Sequence, residues 1–355
     1  MKPFSYSALP SKVTFGFGTL RLVAEEMQAL GCKRAIILST PQQVDAADAL
    51  MAQLGEMAVG RFYEAAMHTP IDVTERAVAE VIAVNADCTV ALGGGSTIGL
   101  GKAIALRTDL PQIVIPTTYA GSEATPIIGQ TQNGVKNTER TLKVLPEVII
   151  YDVDLTLTLP IGLTITSGMN AIAHAAEGLY AKDGNPVIQM IAEDGLRALS
   201  SALPLLYANP LDKEARSNAL YGAWACGVTL GSVGMSLHHK LCHTLGGTFD
   251  LPHAETHTVV LPHAMAYNAS AAPDAMARIA RAIGVAEAPL GLFELAKSLG
   301  APTSLKELGM PADGIEQVVT LAVKSPYWNP AALDASRLRV LLQNAYEGRP
   351  PENMA

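Results

Sequence analysis

A chain of 355 residues with 49% apolar and 16% charged side chains is long enough for two cores of ordinary size and too apolar to be disordered. Its formal net charge of −8 argues against nucleic acid or an anionic membrane as partner, and an acidic substrate would need a locally positive pocket. Four cysteines without a Cys-x-x-Cys pair point to reduced thiols, and no signal peptide or membrane-length apolar run stands out, so a soluble cytoplasmic protein is expected.

Up to about residue 155 short apolar strands alternate with helices. Ala35-Ile36-Ile37-Leu38 reads as a buried strand, followed by a helix from about Gln43 to Leu54. Thr89-Val90-Ala91-Leu92 is a second strand, with a glycine turn and a helix through Lys102 to Leu106 behind it. Gln112–Ile115 and Val148–Tyr151 read as further strands, and Asn133-Gly134 signals a small antiparallel excursion near 126–142. Such alternation predicts a mainly parallel sheet covered on both faces. After Leu155 the patterns are helical, broken by prolines at 204, 210, 252, 262 and 273. The reading is an α/β domain over 1–155 and an all-helical domain over 156–355, with the active site in the cleft between them at the carboxyl ends of the strands.

Gly93-Gly94-Gly95-Ser96 follows a strand and opens a helix. Glycines admit a pyrophosphate close to the backbone, and the helix start offers free N–H donors. The Gly-x-Gly-x-x-Gly fingerprint is not met. A second loop, Pro116-Thr117-Thr118-Tyr119-Ala120-Gly121-Ser122-Glu123, follows the next strand and brings hydroxyls to the same sheet edge, which favours a dinucleotide site. Thr40 ends a strand where an acidic residue would select NAD, so NADH and NADPH are both expected to serve. Lys143 is a candidate for the cofactor ribose or a plain surface residue, and Lys102 a pocket cation or a solvated one.

Six of the eight histidines fall between 238 and 263. His239 and His243 stand four apart, as do Asn170 and His174 upstream, and on helices each pair shares a face. With His253 they would make a compact polar site for a metal or an anionic substrate. His238, His257 and His263 read as loop or packing histidines.

Gly93–Ser96, Pro116-Thr117-Thr118 with Gly121-Ser122-Glu123, Asp154-Leu155-Thr156 with Leu159-Pro160, Ala171-x-x-His174-x-x-Glu177 and Leu251-Pro252-His253 together resemble the iron-containing alcohol dehydrogenase family, from Val13 to about Pro330. The resemblance implies a dehydroquinate synthase-like fold, a nicotinamide cofactor and a homodimer. Metal-dependent members hold their ion with an aspartate and three histidines, which fall here on Asn170, His174, His239 and His253. The aspartate is missing, and Gly99 stands where Gly-Gly-Gly-Ser-x-x-Asp would end. The loop after Thr118 is one residue short and carries Tyr119.

These departures resemble the branch that reduces a carbon–carbon double bond in a small unsaturated oxo-dicarboxylate, with no metal expected. Were an ion present, Fe or Zn at His174, His239 and His253 is the expectation. Hydride addition to a conjugated enone leaves an enolate, which hydrogen-bond donors hold without a Lewis acid. His239, His243, His253 and His174 are therefore the catalytic candidates, with Asn170 beside them and His243 favoured as proton donor. A protonated histidine pair is expected against the substrate carboxylates, with Lys240 and Tyr119 as weaker candidates, and Tyr327 and Trp328 either close the pocket or pack. The alternatives are a metal-dependent alcohol or polyol dehydrogenase, a dehydroquinate-synthase-like lyase, and a non-catalytic dinucleotide-binding module.

Overall fold

The computed structural model describes residues 3–132 and 135–352. Residues 9–159 form one compact unit, and residues 160–355 with the segment before Leu9 form the other.

The first unit runs β1 (Lys12–Gly16), α1 (Val23–Ala29), β2 (Ala35–Leu38), α2 (Val44–Leu54), β3 (Ala58–Phe62), α3 (Ile71–Ala83), β4 (Cys88–Gly93), α4 (Gly95–Thr108), β5 (Gln112–Pro116), β6 (Ile127–Gln132), β7 (Val135–Arg140) and β8 (Val148–Asp152). Six strands form one parallel sheet in the order β1-β8-β5-β4-β2-β3. Alternation places Val90 and Leu92 of β4 on one face with Ile37, Ile113, Ile115, Val148 and Ile150, against Val23 and Met27 of α1 and Leu50 of α2. The chain passes outward from β2 to β3 and returns to β4 on the other side of β2. Winding therefore reverses between β2 and β4, and the loops at their carboxyl ends diverge, which is where open α/β sheets bind ligands. The Gly93–Ser96 turn lies at that point. Strands β6 and β7 pair antiparallel from Ile127↔Arg140 to Gln132↔Val135, and the hairpin signal Asn133-Gly134 lies outside the described residues.

The sequence reading lacks both edge strands. β1 meets only β8 and β3 only β2, and three of the five β3 residues are Gly60, Arg61 and Val59 in half-buried or exposed positions. An edge strand takes its identity from one neighbour, so its own pattern is weak.

The second unit contains α5 (Ile161–Gly178), α6 (Pro186–Ala208), α7 (Lys213–Ser232), α8 (Leu237–Phe249), α9 (His253–Asn268), α10 (Pro273–Ile283), α11 (Ala288–Ser298), α12 (Gly314–Lys324) and α13 (Ala335–Glu347). Its centre is α5, buried throughout from Thr164 to Gly178 and packed on α6, α7 and α9. A Cβ on Gly178 would stand 2.1 Å from Thr229 Cγ2, so the close approach of α5 to α7 requires glycine there. Asn185, Asp212 and Asp334 cap α6, α7 and α13 through their side chains. Among the described residues no single helix is long and apolar enough to cross a membrane.

Candidate active site

In the α/β unit the glycine turn is shaped by its neighbours. Gly93 has φ 155, and a Cβ there would meet Thr97 Oγ1 at 2.3 Å and Gln43 Oε1 at 2.8 Å. A Cβ on Gly94 would meet Thr118 Cγ2 at 2.8 Å, whereas one on Gly95 would find only Ser122 Oγ, at 4.0 Å. The first two glycines are thus packed tight and the third is open, at the amino end of α4. Ser96 follows in the first turn, half-buried. Among the described residues Thr97 Oγ1 and Ser122 Oγ are buried without a hydrogen-bond partner, so hydroxyl donors remain unspent beside the turn. An open helix start with unspent hydroxyls fits the pyrophosphate of a dinucleotide.

Gln43 Nε2 donates to Thr117 Oγ1 at 2.9 Å, and Thr117 N–H to the Gly93 carbonyl at 3.1 Å, which ties the ends of β4 and β5 together. Thr40 is half-buried at the end of β2, next to this group in the chain's fold. Tyr119 is completely buried in the same unit. Lys143 is exposed, with its Nζ 3.8 Å from Asp109.

Lys102 is neither the solvated residue nor the pocket cation that the sequence left open. It is 2% exposed, and its Nζ donates to the carbonyls of Ser122 (2.6 Å), Thr125 (2.7 Å) and Ile127 (2.9 Å) and to Thr125 Oγ1 (2.9 Å). One ammonium on α4 thereby fixes the backbone of the second loop. Burial lowers its pKa to about 7, against the pull of the buried Glu123 carboxyl. Glu123 in turn accepts the Tyr151 hydroxyl at 2.8 Å. Asp at position 99 has no room as the fold stands, because a Cβ on Gly99 would lie 2.4 Å from Thr69 Oγ1.

In the helical unit α5, α8 and α9 bring six imidazoles together. His257 is the hub: its ring centroid lies 6.4 Å from His174, 4.8 Å from His238, 5.0 Å from His239, 6.5 Å from His243 and 4.3 Å from His253. His174 and His239 are 5.2 Å apart. Asn170, His174, His238, His239 and His257 are buried, His243 is half-buried, and His253 is exposed at the first turn of α9. His263 lies apart from this group, buried against Phe293.

Behind the cluster stands Glu177, one turn beyond His174 on α5 and completely buried. One carboxylate oxygen accepts His239 Nδ1–H at 2.8 Å and the Ser236 N–H at 2.8 Å. The other accepts the His238 N–H at 2.8 Å and the Tyr180 hydroxyl at 3.2 Å. A carboxylate from α5 thus caps the start of α8, where the helix dipole favours a negative charge. It also sets a tautomer: with its hydrogen on Nδ1, His239 presents Nε2 as a bare acceptor, and Nε2 has no partner among the described residues. His238 is set the other way, since its Nε2 lies 3.0 Å from the His257 carbonyl and must donate.

Burial and mutual repulsion drive His174, His239 and His257 well below the usual histidine pKa. These rings are neutral at pH 7, which corrects the expectation of a protonated pair among them. Tyr327 is a further partner: its hydroxyl lies 3.2 Å from His243 Nδ1. Burial, with Glu177 adding to it, raises the Tyr327 pKa, so the phenol keeps its proton and is able to donate to His243 in the tautomer with Nδ1 bare. Trp328 is exposed beside it. Sequence spacing pointed to neither Glu177 nor His257. For Glu177 the available signal was the Ala171-x-x-His174-x-x-Glu177 motif of the resemblance, which places it one turn after His174 on the same helix.

The chain carries two family signatures in order: the iron-containing alcohol dehydrogenase model matches residues 10–153, and the C-terminal model of the Fe-containing alcohol dehydrogenase family matches residues 164–346. It belongs to the iron-containing alcohol dehydrogenase family. Membership makes it a nicotinamide-dependent oxidoreductase. Maleylacetate reductase of Rhizobium sp. (strain MTP-10005) is 57% identical over 352 residues, covering 99% of this chain and 100% of that one. That of Burkholderia cepacia is 58% identical over 99% of this chain and 100% of its own length. The crystal structure of maleylacetate reductase from Agrobacterium tumefaciens superposes with a TM-score of 0.96 at 57% identity, covering 99% and 100% of the two chains.

A family metal would fall to Asn170, His174, His239 and His253. Asn170 Oδ1, His174 Nδ1 and His239 Nε2 are buried without hydrogen bonds among the described residues, so neutral donors are present. None carries charge, and the nearby carboxylate of Glu177 is spent on His239 and the start of α8. Among the described residues of this cluster, His238, His239 and His257 bring ring nitrogens within 4.8 Å of one another, and the His257 carbonyl already holds His238 Nε2. The set is three neutral imidazoles and an amide where metal-dependent members place an aspartate, so a dication here would lack that carboxylate's charge and be held less tightly than in a member that has it.

Proposed function

We propose that this chain reduces the carbon–carbon double bond of maleylacetate to 3-oxoadipate, with NADH or NADPH and without a resident metal. Its setting in this proposal is a cytoplasmic homodimer in bacterial breakdown of aromatic compounds. What carries the reading is identity of 55–58% over at least 98% of the chain with three proteins named maleylacetate reductase.

Bound NAD(P)H supplies a hydride. The alkene carbon β to the ketone takes it, the double bond shifts, and the ketone oxygen becomes an enolate. The α carbon then takes a proton, which restores the ketone and gives 3-oxoadipate. The chain's part is to hold the enolate and deliver that proton. His243 accepts from the Tyr327 hydroxyl at Nδ1, so in its neutral form it carries hydrogen on Nε2 and serves as donor. Its proton is renewed through Tyr327. His239, fixed by Glu177, offers a bare Nε2 and acts as acceptor or base. Asn170 contributes a neutral amide where a carboxylate would repel an enolate. His174, His253 and His257 complete the wall, and the open Gly93–Ser96 turn with Thr117 and Thr118 holds the cofactor.

The test is NADH and NADPH oxidation with maleylacetate on chelator-dialysed enzyme of measured metal content. Full activity without metal is the expected result. Activity lost on chelation and restored by Zn²⁺ or Fe²⁺ would overturn the metal-free part. One observation favours that second reading, a metal-dependent alcohol dehydrogenase: a carboxylate behind a histidine with a bare Nε2 is also how metal-ligating histidines are held.

A further inference from the structure

A dicarboxylate gains from positive charge as well as from the imidazoles. The helical unit offers another source. Lys240, His243 and Thr244 of α8, with Leu321 and Lys324 of α12 and the following Ser325, line a cavity of about 370 Å³. On α8 positions 240, 243 and 244 share one face. Two lysines line this cavity and no carboxylate does, in a chain whose net charge is −8. Lys240 is half-buried, and its Nζ lies 5.6 Å from the centre of the Tyr327 ring. The same Tyr327 holds His243, so the cavity continues directly from the proton donor. A half-buried cation gains more from a carboxylate than a solvated one does.

We propose that Lys240, assisted by Lys324, binds the carboxylate on the acetate arm of the substrate and so selects dianionic over monoanionic oxo acids. The acetate arm joins the ketone through a saturated carbon, which lets its carboxylate turn out of the enone plane towards Lys240 while the ketone oxygen stays beside His243. This inference rests on the maleylacetate reading above.

The experiment compares wild type, Lys240→Met, Lys324→Met and Lys240→Arg on maleylacetate and on 4-oxopent-2-enoate, the same enone without the acetate-arm carboxylate. For Lys240→Met the expected result is a KM for maleylacetate about 10–100-fold higher with kcat within a few fold. KM for 4-oxopent-2-enoate stays unchanged, so the preference between the two collapses by the same factor. Lys324→Met shows a smaller loss, Lys240→Arg recovers part of it, and NADPH affinity by fluorescence titration is constant throughout. An equal effect on both substrates, or none, overturns the proposal. Should wild type reduce neither compound, the functional reading fails, and the subsite is judged by calorimetry with 3-oxoadipate. Binding lost in Lys240→Met would uphold it; binding absent in wild type, or equal in both, would overturn it.

Discussion

Glu177→Gln isolates the device on which the histidine cluster depends. The substitution keeps the shape and removes the charge. A Gln amide has one acceptor oxygen, and it goes to the side of His239 Nδ1–H and Ser236 N–H, where two strong donors wait. Its NH₂ then faces the Tyr180 hydroxyl, which can turn to accept, and the His238 N–H, which cannot. One buried N–H loses its partner, at about 1–3 kcal/mol, and two remaining bonds lose their charge assistance, at about 0.5–1 kcal/mol each. The variant should be less stable by about 2–5 kcal/mol, read as a lower denaturant midpoint at unchanged slope. The His239 tautomer survives but its ring is less basic, so kcat should fall about 10–100-fold, in the range for loss of a carboxylate behind a working histidine. NADPH affinity should not move, because the glycine turn belongs to the other unit. A variant with wild-type midpoint and wild-type kcat would refute the reasoning. Unchanged kcat with the stability loss would leave Glu177 as a helix cap alone.

Acid should unfold the protein early. His174, His239, His257 and His263 are all lowered by burial, His263 from 6.5 to about 4. A histidine whose folded pKa lies below its unfolded one leaves stability intact above 6.5 and withdraws it as pH falls towards the folded value. His263 alone accounts for roughly 3 kcal/mol lost across that window, and His263→Phe should flatten the melting temperature between pH 6.5 and 4; an unchanged profile would refute it. Gly93→Ala should abolish NADPH binding or folding, since its Cβ has 2.3 Å of clearance, whereas Gly95→Ala should fold normally and weaken NADPH about tenfold by crowding the phosphate. Fluorescence titration separates them, and equal behaviour would show that the turn is not the phosphate site. Asn170→Asp should give the cluster its missing charge, so that the purified variant carries about one Zn²⁺ or Fe²⁺ per chain and loses reductase activity; metal content equal to that of wild type would argue against the donor set.

Much of this was local and therefore legible in the residues. Central strands buried on both faces appear as continuous apolar runs, and β2, β4, β5 and β8 lie where those runs fall. The glycine turn follows from one strand ending and one helix beginning, and the Asn170/His174 and His239/His243 pairs from the helical repeat. Edge strands β1 and β3 were not legible, because half of what makes them strands is a neighbour.

What the tertiary structure decided is which groups meet and in what state of charge. Tyr327 reaches His243 across 84 residues, and Glu177 reaches His239 across 62. No local period encodes such pairs. His257 reads as a packing residue by its place in the chain, and becomes the hub only because α9 lies against α8 and α5. Lys102 reads as a cation for solvent or ligand, and becomes a clamp on a loop because the fold surrounds it with carbonyls. The histidines themselves were plain from spacing. Their neutrality was not, since it comes from burial beside one another, and burial is a property of the packed chain.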